Sequence, residues 1–224
     1  MRKVTDYAIH TGKLEKPVRL LVVSDLHDEE YDDILPMMAG MDALLIPGDV
    51  TNRYHQSSSL GLAFLREAAR RLPTYYAMGN HELRFRQFGP YLKLARKTGV
   101  RVLYNEYVRV GELVIGGWYH PRKETMLRRM QRESGYKLLM CHKPEDYYRY
   151  VKPYCIDLTL AGHAHGGQIR VFGRGLYAPG QGILPKHTRG VEDGGRLLIS
   201  AGASNPVWAP RWGNPCEVLR VTLD

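Results

Sequence analysis

Carboxylate, carboxamide and imidazole side chains recur in this chain at short, regular intervals. Asp25 and His27 stand two residues apart. Asp49 follows Pro47 and Gly48. Asn80, His81 and Glu82 run together after Gly79. His142 follows Cys141, and His163 and His165 follow Gly162. Carboxylate and carboxamide oxygens combined with imidazole nitrogens suit divalent ions of intermediate hardness, such as Mn, Fe or Zn. One carboxylate can bridge a pair of ions. Two ions about 3.5–4 Å apart can clamp the attacking and leaving oxygens of a phosphoryl transfer and acidify a bound water. Taken singly, each residue has a plainer explanation. A lone histidine in a loop is commonly a surface or hydrogen-bonded residue, and Gly-Asp and Gly-Asn are ordinary turn dipeptides. Five such signals along one chain are harder to attribute to turns.

Each signal follows a short apolar run that reads as a buried strand. The runs are Val18 to Val23, Ala43 to Ile46, Thr74 to Met78, Lys137 to Cys141 and Leu158 to Ala161. Further strands are expected at Val100 to Tyr104, Leu113 to Ile115, Arg196 to Ala201 and Val218 to Leu223. Helical patterns lie at Tyr31 to Ala39, Ser59 to Arg71, Pro90 to Thr98 and Pro121 to Glu133. The first half therefore alternates strand and helix, which argues for parallel strands with helical crossovers. The second half reads as mixed or antiparallel. In open α/β sheets the ligand crevice lies outside the carboxyl ends of the strands, so residues distant in sequence can converge there. Gly48, Gly79 and Gly162 precede the polar groups, and a residue without Cβ permits the sharp turn required.

The 224 residues are enough for one domain with a sizeable core, and no repeat or linker divides residues 1–224. No run of about 18 apolar residues appears, and Met1 to Thr11 is polar and mixed rather than signal-like. A cytoplasmic protein is the expectation. Cys141, Cys155 and Cys216 are few, odd in number and scattered, which argues against a disulfide framework or a cysteine zinc site. A formal net charge of +9 favours anionic partners.

The groups read as SDLH (24–27), GDVTNR (48–53), GNHE (79–82), CHKP (141–144) and GHAH (162–165). In this order they resemble the calcineurin-like metallophosphoesterases, from Asp25 to about Ser204. The extension GHAHGGQIR resembles the bacterial branch of membrane-associated phosphodiesterases and UDP-diacylglucosamine hydrolases. The resemblance implies a four-layer αββα sandwich with two mixed β-sheets in a single α/β domain. It implies two divalent metal ions: Asp25, His27 and His165 hold the first, Asn80, His142 and His163 the second, and Asp49 bridges them. His81 stands beside them without ligating, as general acid or transition-state stabiliser, in hydrolysis of a phosphodiester or pyrophosphate by a metal-bridged hydroxide. Arg53 resembles a phosphate-gripping arginine of the protein-phosphatase branch, for which a guanidinium fork is suited, the alternative being an exposed surface arginine. The implied substrate is a small anionic phosphoester, lipid-linked or a nucleotide-sugar. The competing class is a catalytically silent fold used as a protein-interaction scaffold, against which the intact residue set argues.

Outside these motifs, Pro121 to Glu133 carries five basic residues around Met126, Leu127 and Met130. It reads as a helix packing its apolar residues on the core, or as a basic amphipathic helix in peripheral contact with a membrane. Trp208 and Trp212 stand near prolines and either wall the site or cap the core edge. His120 follows a strand and either approaches the site or, the plainer reading, is a surface or hydrogen-bonded histidine. His10, His55 and His187 offer no basis for a role. No groove-reading or base-stacking motif supports nucleic acid, and no obligate protein partner is evident.

Overall fold

A computed structural model of the chain describes residues 2–54, 58–119, 124–206 and 210–224. The strands are β1 (Lys3–Ile9), β2 (Val18–Val22), β3 (Ala43–Ile46), β4 (Thr74–Ala77), β5 (Arg101–Leu103), β6 (Glu106–Val110), β7 (Leu113–Trp118), β8 (Tyr136–Cys141) and β9 (Leu158–Ala161). Short pairs follow, β10 (Arg170–Val171) with β11 (Arg174–Gly175), and β12 (Tyr177–Ala178) with β13 (Gly182–Ile183). Then come β14 (Gly190–Glu192), β15 (Leu197–Ile199) and β16 (Glu217–Leu223). Two six-stranded sheets result, in the orders β1-β16-β2-β3-β4-β5 and β14-β15-β9-β8-β7-β6. In the first, β2 to β5 are parallel, while β16 lies antiparallel to β2 and parallel to β1. In the second, β15, β9, β8 and β7 are parallel, and β14 and β6 flank them antiparallel.

Alternation along the strands makes four layers. Leu20, Val22, Leu45, Tyr75 and Ala77 of the first sheet meet Ile115, Leu138, Met140, Leu158, Leu160 and Leu198 of the second in a core between the sheets. The intervening residues, Leu21, Leu44, Ile46 and Tyr76, turn outward onto the helices α1 (Ser59–Arg71) and α3 (Phe88–Lys97), where Phe64, Leu65 and Tyr91 are buried. Val114, Leu139 and Ile199 face outward from the second sheet onto α4 (Glu124–Met130) and the turn around Tyr147 and Val151. Because both faces of the central strands are covered, their sequences are apolar without alternation. This is the αββα sandwich with two mixed sheets. Two short helices complete the set, α2 (Asn80–Leu83), between β4 and α3, and α5 (Pro144–Asp146), which follows β8.

Some expectations are corrected. The helix at Tyr31 to Ala39 shrinks to one tight turn, Leu35–Met38, because Pro36 lacks an N–H and restricts the residue before it. Strand β1 falls where the sequence reads as polar. It is a sheet edge, paired on one side only and partly exposed, so it needs no apolar run. In α4, Met126, Leu127 and Met130 are buried, as a helix packed on the core requires. Residues 121–123, together with His55, His120 and Trp208, lie outside the described residues. Trp212 is 74% exposed and caps no core. Of the cysteines, only Cys141 is fully buried, and Cys155 is exposed. No helix among the described residues is long and apolar enough to cross a membrane.

Candidate metal centre

Strands β2, β3, β4, β8 and β9 end on one side of the sandwich, and the loops after them are laced together by backbone hydrogen bonds. Asp25 N–H donates to the Gly48 carbonyl (3.1 Å), His27 N–H to that of Asp49 (3.1 Å) and Gly162 N–H to that of His142 (2.9 Å). His163 N–H donates to the Asp25 carboxylate (3.1 Å), and His81 N–H to Oδ1 of Asp49 (2.8 Å). Asp25, His27, Asp49, Asn80, His142, His163 and His165 are thereby brought together, all of them buried. Five of them, Asp25, His27, Asp49, His163 and His165, have φ between 46° and 66°. Left-handed backbone is uncommon outside glycine, and strain of about 1–3 kcal/mol per residue persists only where the surroundings impose it, as they do at functional sites.

The glycines act differently from the simple turn expected. Gly48 does need left-handed backbone, with φ of 104°. Gly79 and Gly162 do not. They leave room for the carboxylates: a Cβ on Gly79 would overlap Asp49, and one on Gly162 would overlap Oδ2 of Asp25 and lie 2.8 Å from Oγ of Ser24.

The donor atoms form three overlapping sets, each within 4.8 Å: Asp25, His27 and His165; His27, Asp49 and His81; and Asp49, His142 and His163. Asp49 belongs to two of them, with Oδ2 3.0 Å from Nε2 of His142 and 3.9 Å from Nε2 of His27. Nε2 of His27, Nε2 of His142 and Oδ1 of Asn80 are buried without a hydrogen-bond partner. Buried polar atoms are rarely left unsatisfied unless an ion or water completes them. A mixed oxygen and imidazole set of this kind fits two divalent cations.

Electrostatics separate the histidines. Burial holds His27 and His165 down to about 3 and lowers His163 well below its ordinary value, so these rings are neutral and ready to ligate. For His142 burial acts in the same direction, yet the Asp49 carboxylate outweighs it and lifts the ring to about 10. Nδ1 of His142 lies 2.8 Å from the Pro47 carbonyl, which can only accept, so that nitrogen carries a proton. His81 is less buried. Burial and then Arg53 lower its pKa, against the pull of Asp49, and its Nδ1 accepts the Arg53 N–H at 3.3 Å.

Several further residues support the cluster, most of them outside the five motifs. Glu82 is fully buried and accepts three backbone N–H groups, from Gly79 (2.7 Å), Asp49 (3.0 Å) and Thr51 (3.1 Å), clamping the loops after β3 and β4. Burial and the nearby Asp49 raise it to about 7. Asp28 accepts from Asn52 N–H (2.7 Å) and Gly61 N–H (2.9 Å). Arg211 arrives from the far end of the chain, with Nη2 3.1 Å from Nδ1 of His165, and Asn214 donates to the His165 carbonyl at 2.7 Å. The only local signal was Glu82 within GNHE.

A cavity of about 350 Å³ opens onto the cluster. Arg53 lines it beside His81, with its guanidinium over the Tyr54 ring, 4.6 Å from the ring centre. Arg84 and Lys143 add two further cations, and Tyr177 closes another side. His10 and His187 lie elsewhere: His10 contacts Asp224, and His187 stacks on Tyr148 and contacts Glu192.

A family model described as calcineurin-like phosphoesterase matches residues 18–167. An uncharacterized metallophosphoesterase of Helicobacter pylori is 25% identical over 188 residues, 76% of this chain and 50% of that protein. One of Aquifex aeolicus is 25% identical over 245 residues, covering 99% and 91%. The chain thus spans half the length of the Helicobacter relative and most of the Aquifex one. Among solved structures, the calcineurin-like phosphoesterase YfkN from Bacillus subtilis superposes with a TM-score of 0.53 at 13% identity, over 83% of this chain and 81% of that one. A 5'-nucleotidase precursor from Thermus thermophilus does so with 0.54 at 14%, over 93% and 54%. These two likenesses concern the fold. With the family match covering the strands that carry the buried cluster, the chain belongs to the calcineurin-like phosphoesterase family.

Proposed function

We propose that the chain is a dinuclear-metal hydrolase of phosphodiesters or pyrophosphates. The observation that carries this reading is the buried set of unpartnered donor atoms at the floor of a cationic cavity. Asp25, His27 and His165 would hold one divalent ion, Asn80, His142 and His163 a second, and Asp49 both. Bound there, the pair supplies Lewis acidity and a water acidic enough to ionise near neutral pH. The chain's own residues do the rest. Arg53, Arg84 and Lys143 draw an anionic phosphoester into the cavity, and the Arg53 fork holds its free oxygens. His81 accepts at Nδ1, so its remaining proton sits on Nε2, available to the leaving oxygen. Tyr54, Tyr177, Pro179 and Pro206 give the cavity aromatic and apolar walls. Such walls suit a phosphoester carrying a nucleoside or a lipid-linked sugar, in keeping with the GHAHGGQIR resemblance.

The test is hydrolysis of bis-p-nitrophenyl phosphate by the metal-stripped protein resupplied with Mn²⁺, Fe²⁺ or Zn²⁺. Turnover is expected with at least one metal and should vanish in Asp49→Ala, which loses both ions on gel filtration. Absence of turnover with every metal would leave the scaffold reading in its place.

A further inference from the structure

Two short hairpins follow His165, and the turn of the first and the open end of the second combine features that a soluble surface does not require. In the turn between β10 and β11, Phe172 is fully exposed with φ of 49°. Leu184, just past β13, is 68% exposed with φ of 51°, and its neighbour Ile183 is 83% exposed. Bulky apolar side chains in left-handed backbone are genuine outliers, since glycine or asparagine would serve a turn better. The turn at Phe172 and the exit of β13 at Leu184 thus each carry an apolar group where conformation and solvation disfavour it.

Between the first hairpin and the segment that follows β13 lies a cavity of about 440 Å³, lined by Arg170, Arg174, Lys186, Arg189 and Leu184, with no carboxylate in its wall. Arg170 donates to the Gly166 carbonyl (2.7 Å), to Oγ1 of Thr188 (3.0 Å) and to the Gly173 carbonyl, all neutral acceptors. Arg189 is paired with the buried Glu217. Arg174 and Lys186 make no ion pair among the described residues. Three cations are therefore left without a countercharge among the described residues, at a concave surface bordered by the exposed Phe172 and Leu184.

We propose that this face docks on an anionic phospholipid bilayer, the cavity taking a lipid phosphate while Phe172, Ile183 and Leu184 enter the acyl boundary. Exposed apolar side chains and adjacent cations are the two contributions that interfacial binding sums, and a chain with a net charge of +9 adds long-range attraction. Tyr177 of β12 belongs to the same hairpin pair and also lines the cavity over the metal centre, so docking would bring that opening close to the bilayer. The proposal does not depend on the hydrolytic reading.

The full chain is floated with vesicles of phosphatidylcholine alone or mixed with phosphatidylglycerol. Binding is expected only to the mixed vesicles. Arg174→Ala with Lys186→Ala should weaken it on the order of 30-fold, from the loss of two basic residues at an anionic surface. Phe172→Ser with Leu184→Ser should abolish flotation, while Leu94→Ser, on α3, leaves it unchanged. A Phe172→Trp variant should shift its emission to the blue with mixed vesicles only. Failure to float with anionic vesicles, or flotation unaffected by both hairpin double variants, would overturn the proposal. So would complete competition by soluble glycerol phosphate at matched ionic strength, which would mark a site for a free phosphoester instead.

Discussion

Loading the centre with metal should expel one proton from the protein itself, and that proton should come from His142; a water ionised on the metals adds at most one more. Its Nδ1 donates to the Pro47 carbonyl, while its Nε2 faces Oδ2 of Asp49 at 3.0 Å, in ion-pair contact though not aligned as a hydrogen bond. Before metal binds, the ring is protonated well above neutrality, to about 10. A cation at Nε2 needs that lone pair, so the proton must leave. At pH 7 the competition spans about three pH units, roughly a thousandfold in apparent affinity or about 4 kcal/mol. His27 and His165, at about 3, and His163, also lowered, are already neutral and release nothing. Proton loss is favoured as pH rises, so affinity should increase close to tenfold per pH unit between 6 and about 9, then level off. Titration calorimetry of the stripped protein in buffers of different ionisation enthalpy counts the protons directly. A release near zero, with affinity flat over that range, would refute the assignment. A release near four would refute the division among the histidines.

Three further outcomes are expected. Gly162→Ala adds one methyl group that overlaps the Asp25 carboxylate, so the protein should keep its circular dichroism yet lose at least tenfold in metal affinity, consistent with about 1–3 kcal/mol for overpacking; unchanged metal content would show that the close approach is immaterial. Glu82→Gln replaces a three-fold acceptor by a group with one oxygen, leaving at least one buried N–H opposed by an amide donor. It should lower stability by about 2–4 kcal/mol in urea unfolding, and a loss below about 1 kcal/mol would remove its clamping role. His81→Ala should retain both metals and lose about 10²–10⁴ in turnover of bis-p-nitrophenyl phosphate; full activity would exclude it from proton donation.

Much was legible in the chain because chemistry and local pattern coincide here. Buried parallel strands need apolar runs, and such runs end where polar side chains can be presented. The ends of β2, β3, β4, β8 and β9 could therefore be placed to within a residue or so, with Asp25, Asp49, Asn80, His142 and His163 beside them. The Ser59–Arg71 helix announced itself by its apolar spacing. The edge strand β1 did not, since one-sided pairing asks little of composition, and the proline-interrupted segment around Leu35 imitated a helix it could not form.

Contacts over long sequence separations were decided by the packing of layers alone. Strand β16 inserts between β1 and β2, and its preceding loop carries Arg211 to His165 and Asn214 to the carbonyl behind it. Glu82 clamps two loops through N–H groups some thirty residues away. The left-handed backbone at Asp25, His27, Asp49, His163 and His165 likewise has no local cause; the crossing of five loops over one small volume imposes it. A sequence can supply donor types and the strands that end beside them. Which oxygen is shared, which imidazole holds a proton and which carboxylate must be given room depend on distances of a few ångströms, and those exist only once both sheets are packed together.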